Sequence, residues 1–97
     1  MSGDSKVDFL KGKAKNFQAY LESYTPDEDV RQWLNTFNEG MLVPTILAML
    51  VPMQKAGQIP DSVSQLIAKL QVPDDKREEV RNKIERYLNM FVEVATF

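Results

Sequence analysis

The sequence lacks two residue types on which most catalytic and metal sites depend. None of its 97 residues is a cysteine or a histidine. Without cysteine the chain forms no disulfide and offers no thiol nucleophile or thiolate metal ligand. Without histidine it lacks the commonest general base, the commonest metal ligand and the usual proton switch near neutral pH. These absences argue against an enzyme, and we expect no catalytic residue, no cofactor and no metal site.

A strong net charge is also missing, since 12 basic and 14 acidic residues leave a net charge of −2. The molecule as a whole therefore offers no positive field that would attract nucleic acid or an acidic membrane. No glycine-rich phosphate loop occurs, and no small-molecule substrate is evident. The opening residues, MSGDSKVD, lack the apolar core of a secretion signal, so we expect a cytoplasmic or otherwise intracellular protein.

The most apolar stretch is the uncharged run from Met41 to Met53, MLVPTILAMLVPM. It is shorter than the roughly 20 apolar residues of a transmembrane segment. It therefore predicts a central hydrophobic helix at about 41–56, buried on several sides by its neighbours. The tetrapeptide Met-Leu-Val-Pro occurs twice in this run, but an eight-residue step turns a helix by about 80°, so the two copies should not share a face. A kink or break is expected at Pro52.

The first of four flanking segments, at about Ser5–Ser23, has the pattern of an amphipathic helix. Ser5 and Asp8 have the spacing of a capping box. Apolar residues follow at alternating steps of three and four, which places them on one stripe. A coiled-coil seam would need more heptads than this segment has, so a helix in a bundle is favoured. The stripe consists of Val7, Leu10, Ala14, Phe17, Leu21 and Tyr24.

Proline and aspartate mark the expected starts of the later helices. In the second segment Thr25 should be the cap and Pro26 the first helical residue, while the acidic triplet 27–29 suits a helix N-terminus better than a metal site. Gly40 should end that helix, and Gly57 should end the central one. With the central helix counted as the third segment, the fourth and fifth segments should begin at the caps Asp61 and Asp75.

Together these segments predict an all-α fold. We expect one domain over residues 1–97, built as a compact bundle of about five helices around the central hydrophobic helix. The C-terminal helix should be long, and residues 1–4 should be flexible.

With reaction chemistry missing, the favoured function is that of a small helical module for protein–protein interaction, assembly or regulation, with self-association included. Apolar residues off the best core stripes, and adaptable methionines, are its candidate contacts. The alternative is that these side chains pack in the core. The candidate partner-binding residues are Phe9, Lys13, Tyr20, Met49, Met53, Met90 and Phe97.

Two further hypotheses use the basic residues. From Lys6 to Lys15, four lysines stand against one aspartate, which suits either a nucleic-acid accessory role or a membrane-surface adaptor. The nucleic-acid contacts would be Lys6, Lys11, Lys13 and Lys15, with Arg77 and Arg81. The basic residues of 76–86 alternate with acids, and a Glu79–Lys83 pair at i,i+4 predicts a solvated, self-neutralising face instead.

Overall fold

The computed structural model describes residues 2–38 and 40–96, and within them the chain forms five helical segments. Helix α1 (Ser2–Glu22) and helix α6 (Arg77–Thr96) are the two long ones. Helix α2 (Glu28–Asn35) and helix α5 (Ile59–Ala68) are shorter. The central segment, residues 42–55, joins α3 (Leu42–Thr45), a π-helix (Ile46–Leu50) and α4 (Val51–Lys55) without interruption. The predicted all-α bundle with a long C-terminal helix is confirmed.

The core is built from the apolar faces that the helical spacing predicts. Helix α1 contributes Leu10, Ala14, Phe17 and Leu21, all buried. Helix α6 contributes a matching row, and the remaining helices add their own stripes. Tyr20 of α1 contacts Lys83 of α6, whereas Phe17, earlier in α1, contacts Phe91, later in α6. The two helices are therefore antiparallel. The buried row of α6 consists of Val80, Ile84, Leu88, Phe91 and Val92.

The central segment is buried on one face only, which corrects the expectation that its neighbours enclose it. Leu42, Ile46 and Leu50 are at most 1% exposed. In contrast, Met41 is 52% exposed and Leu47 is 48% exposed. The segment therefore lies against the core as an amphipathic helix and leaves an uncharged face in solvent.

A π turn explains how this single buried face is maintained. In a regular α-helix, Leu42, Ile46 and Leu50 would drift apart by about 80° over their eight residues. In the π turn, the Val51 N–H donates to the carbonyl of Ile46, five residues back, so the turn takes in one extra residue. This wider turn removes most of the drift. The break expected at Pro52 does not occur, since the helix continues from the π turn through Pro52 to Lys55.

Several helix starts differ from the sequence expectations. Helix α1 begins at Ser2, so Ser5 lies inside the helix and does not cap it. Residues 2–4, expected to be flexible, belong to this helix, and Met1 lies outside the described residues. Asp61 lies in the first turn of α5, whose cap position is Gln58. A short 3₁₀ turn, Asp74–Lys76, precedes α6, so Asp75 is part of that turn.

Helix α2 starts two residues later than expected, because the chain before it contacts a residue that is distant in the sequence. Its cap is Asp27, whose Oδ1 accepts a hydrogen bond of 3.0 Å from the Val30 N–H. Pro26, expected to begin the helix, is buried and forms an isolated antiparallel bridge with Leu70. Within residues 2–38 and 40–96, this bridge does not extend into a strand.

The ends of the helices give one confirmed and one corrected expectation. Gly57, at φ 69°, ends the central segment, and the N–H groups of Gly57 and Gln58 donate to the carbonyls of Gln54 and Met53. Gly40 does not end α2, which stops at Asn35. The chain then turns, and Thr45 Oγ1 donates to the Thr36 carbonyl at 3.1 Å, so that the central segment is tied to the end of α2.

Candidate functional site

The first candidate surface is the exposed side of the central segment, here called the uncharged face. Its members share high exposure and the absence of charge, and they recur at steps of three and four along the helix. Large apolar side chains exposed together in this way mark interaction surfaces more often than isolated exposed leucines do. The uncharged face consists of Met41, Pro44, Leu47, Ala48 and Pro52.

The two Met-Leu-Val-Pro copies have the same burial pattern, contrary to the expectation that they would not share a face. In each copy the methionine is exposed, the leucine buried, the valine half-buried and the proline exposed. The intervening π turn brings them into register, because it offsets the 80° rotation that separates them in a regular helix. The repeat therefore presents equivalent Met and Pro side chains to solvent twice.

A groove of about 230 Å³ lies next to this face and is here called the tryptophan groove. Trp33 of α2, Met49 and Met53 of the central segment and Leu88 of α6 supply its apolar walls. At its edge, Lys69 Nζ and Asp29 Oδ2 lie 3.2 Å apart, so the charges there offset each other. This groove can receive apolar side chains of a partner. Its remaining lining residues are Val30, Ser62, Gln65 and Leu66.

A second groove, of about 480 Å³, runs between α1 and α6 and is here called the basic groove. Lys13 lines it from α1. From α6 come residues spaced by three or four along one side of the helix. Three cations and one carboxylate border an apolar floor. The α6 lining consists of Glu79, Asn82, Lys83, Arg86, Tyr87 and Met90.

Aromatic rings hold two of these cations in place. Lys13 Nζ lies 5.5 Å from the centre of the Phe9 ring, and Lys83 Nζ lies 4.4 Å from the centre of the Tyr20 ring. Such contacts favour an ammonium group over a ring face without neutralising its charge. The predicted Glu79–Lys83 ion pair is wrong, since neither residue forms an ion pair within the described part of the chain.

Tyr20 has a shifted pKa beside this groove. Burial of its hydroxyl, then its hydrogen bond with Tyr24 and the nearby negative charge of Glu79, raise the pKa of Tyr20 to about 12. The Tyr20 and Tyr24 rings also meet edge to face at 5.6 Å. Tyr20 is therefore neutral at physiological pH and contributes a ring and a hydroxyl to the surface, not a charge.

The structure divides the predicted site residues between these surfaces. Met49 and Met53 line the tryptophan groove. Lys13 and Met90 line the basic groove, and Tyr20 lies beside it under Lys83. Phe9 is 46% exposed next to Lys13. Phe97 lies outside the described residues.

The N-terminal lysines do not share one surface. Lys13 faces the basic groove, whereas Lys11 and Lys15 line a separate depression with Gln18, Phe37 and Asn38. Both the nucleic-acid and the membrane-surface hypotheses stay predictions.

Sequence reasoning missed several residues of these surfaces for physical reasons. Met41 and Leu47 were expected to be covered, because a run without charge gives no sign of which side faces water. Lys83 and Arg86 were assigned to a self-neutralising face, because the aromatic partner of Lys83 lies on another helix. The spacing of α6 contained the signal, since these two cations and then Tyr87 and Met90 follow at helical spacing along one side.

Comparisons with known proteins identify no relative of this chain. No protein-family model matches the chain, and searches of curated proteins and of solved structures find no match. Within residues 2–38 and 40–96, no helix combines the length and the apolar character that a membrane crossing requires. No cluster of three or more carboxylates in that part of the chain is placed to hold a metal ion.

Proposed function

We propose that this protein is a non-catalytic interaction module, and that it binds the apolar surface of another protein, or of its own copy, through the uncharged face and the adjoining tryptophan groove. The observation that carries the proposal is the exposure of Met41 and Leu47, 52% and 48%, within a run that contains no charge. Exposed apolar area of this kind gains free energy when a partner removes it from water.

The side chains of these surfaces suit a binding role. Methionine is flexible and polarisable, so Met41, Met49 and Met53 can adapt to the shape of a partner. Trp33 is half-buried in its groove, and tryptophan is enriched among the residues that dominate interface energies. Met49 links the two surfaces, because it lines the groove and stands three residues before Pro52.

The absence of histidine and cysteine supports the non-catalytic part of the proposal. A lysine or tyrosine works best as a general acid or base at neutral pH when its pKa is tuned towards neutrality. Tyr20 has its pKa raised to about 12, away from neutrality.

A charge placed at the centre of the uncharged face tests the proposal. We expect Leu47→Glu to abolish self-association measured by light scattering over a concentration series, or to remove a bound protein recovered by affinity capture from the source cell. Burial of an unpaired carboxylate in an apolar contact is strongly unfavourable. Loss of binding in Leu47→Glu can therefore be measured whether the partner is a second copy of the chain or another protein.

Ala19→Glu is the matched control, because Ala19 is exposed in the last turn of α1 and the substitution adds the same charge away from this face. It should leave association and capture unchanged. Two results together would refute the proposal. The unchanged chain would stay monomeric at every concentration, and affinity capture would recover the same proteins with Leu47→Glu as with the unchanged chain.

A further inference from the structure

The basic groove holds positive charge that the rest of the chain does not neutralise. Lys13, Lys83 and Arg86 line it together with a single carboxylate, Glu79. Within the described residues, none of these three cations forms an ion pair. The whole chain has a net charge of −2, so this groove is a positive site on a molecule that is otherwise acidic.

The floor of the groove is apolar. Tyr87 and Met90 are half-buried, pack against the core and line the groove together with the cations. Phe9, which is 46% exposed, lies next to the lining residue Lys13. An occupant that satisfies this site must therefore carry negative charges at its edges and apolar side chains at its centre.

The shape of the groove favours a helix as that occupant. The lining of α6 extends over twelve residues, from Glu79 to Met90, which span about 16 Å at a rise of 1.5 Å per residue. On the other side, Lys13 of the antiparallel helix α1 lines the groove. A third helix can pack along the furrow between two such helices at ordinary interaxial distances of about 8–10 Å.

We infer that the basic groove binds an acidic amphipathic helix of another protein, whose carboxylates face Lys13, Lys83 and Arg86 and whose apolar side chains contact Tyr87 and Met90. This surface is separate from the uncharged face and the tryptophan groove, so the inference does not depend on the proposed function. The apolar floor, Tyr87 and Met90, favours a partner that also offers apolar side chains over a nucleic acid, whose backbone is charged at every phosphate.

The probe is a designed helical peptide with leucines at positions spaced by three and four residues and glutamates on both sides of them. We expect it to shift backbone amide resonances in a ¹H–¹⁵N spectrum of the full chain, at residues 9–20 and 79–90. A second peptide, with every glutamate replaced by lysine, should shift none of them. Shifts confined to the central segment, residues 42–55, would support the uncharged face and overturn this inference.

Charge reversal in the groove provides the second test. The double variant Lys83→Glu with Arg86→Glu should weaken binding of the acidic peptide by about tenfold or more, measured by fluorescence anisotropy of a labelled peptide. The control is Lys76→Glu with Arg81→Glu, which changes the net charge equally at exposed positions that do not line the groove. Circular dichroism should show that both variants keep the fold.

Two further probes separate the classes of occupant. A single-stranded oligonucleotide, or vesicles of phosphatidylcholine with phosphatidylserine, should bind more weakly than the acidic peptide at the same ionic strength. The inference is overturned if either binds as tightly as the peptide does, or if the groove variant and the control variant bind the peptide equally well.

Discussion

At the scale of single residues, Tyr20 gives the molecule a pH-dependent contribution to stability. Its pKa is raised from 10.0 to about 12, chiefly by burial of the hydroxyl. Between pH 10 and pH 12 the unfolded chain releases this proton and the folded chain keeps it. The free energy of unfolding must therefore fall as the pH rises through this range.

We expect Tyr20→Phe to make this fall in stability smaller, because phenylalanine has no proton to release. Denaturant unfolding at several pH values from 9 to 12 measures the difference, with the unchanged chain as reference. Absorbance titration of the tyrosines should show the late-ionising phase of the unchanged chain disappear in the variant. Equal losses of stability in both proteins would contradict the burial of this hydroxyl.

Thr25 shows how one residue carries local strain. Its φ is 55°, in the left-handed region that β-branched residues rarely adopt. Its N–H donates to the carbonyl of Glu22 at 3.2 Å, so this backbone conformation helps to end α1. Thr25 is exposed, and its backbone conformation leads into Pro26, which forms the bridge to Leu70.

Replacing Thr25 by glycine should stabilise the fold by about 1 kcal/mol, because glycine adopts positive φ without a steric cost. A thermal melt provides the measurement. Thr25→Ala is the control, since alanine removes the same exposed hydroxyl and still meets the steric cost at positive φ. If both variants shift the melting temperature equally, backbone strain is not the cause.

At the scale of elements, the amphipathic stripes could be predicted from the sequence and the helix starts could not. The buried row of α1 follows directly from apolar spacing, which reflects a local property of the helix. The start of α2 depends on the pairing of Pro26 with Leu70, which lies far along the chain. Propensity rules for Thr25 and Pro26 contain no information about that distant contact.

The central segment illustrates the same limit. Its helical character could be predicted from length and composition, but its exposed face could not, because charge is what usually marks the side that faces water. The π turn depends on three leucine and isoleucine positions, each four residues apart, which must all reach the core. The candidate methionines were identified, whereas Met41 and Leu47 required the packing of the whole domain.

The π turn makes a specific prediction about a deletion. Ala48 is exposed within it, and its removal would place Leu42, Ile46 and Leu50 at steps of four and three, the stripe of a regular α-helix. The core face should be retained. We expect a loss in the free energy of unfolding of about 1 kcal/mol or less, measured by denaturant titration.

Deletion of Ala19 is the control, because this residue is equally exposed but lies in the regular helix α1. Its removal rotates the last three helical residues, 20–22, by about 100° relative to those before them. Leu21 would leave the core, and we expect a loss larger than about 4 kcal/mol. Comparable losses for the two deletions would mean that the π turn does not absorb a residue.

At the scale of the whole molecule, one side chain of α1 joins three of the helices, α1, α2 and α6, in the core. Phe17 is fully buried, and its ring centre lies 5.2 Å from that of Tyr87 and 5.6 Å from that of Phe91, both on α6. It also contacts Trp33 at 6.0 Å and Phe37 at 5.9 Å, so the same ring packs against α2 and the turn that follows it. Its edge-to-face contacts add to the free energy of burying the ring.

Truncation of this ring should therefore affect α1, α2 and α6 at once. We expect Phe17→Ala to lower the free energy of unfolding by about 3–5 kcal/mol, a large part of the total of about 5–15 kcal/mol that a domain of this size has. Phe9→Ala is the control on the same helix, because Phe9 is 46% exposed and its truncation should cost less than about 1 kcal/mol.

Unfolding followed by Trp33 fluorescence and by far-ultraviolet circular dichroism should give coincident transitions, since the Phe17 ring connects the tryptophan to both long helices. Separate transitions would show that α2 and the long helices unfold independently, and that the core is not organised around Phe17.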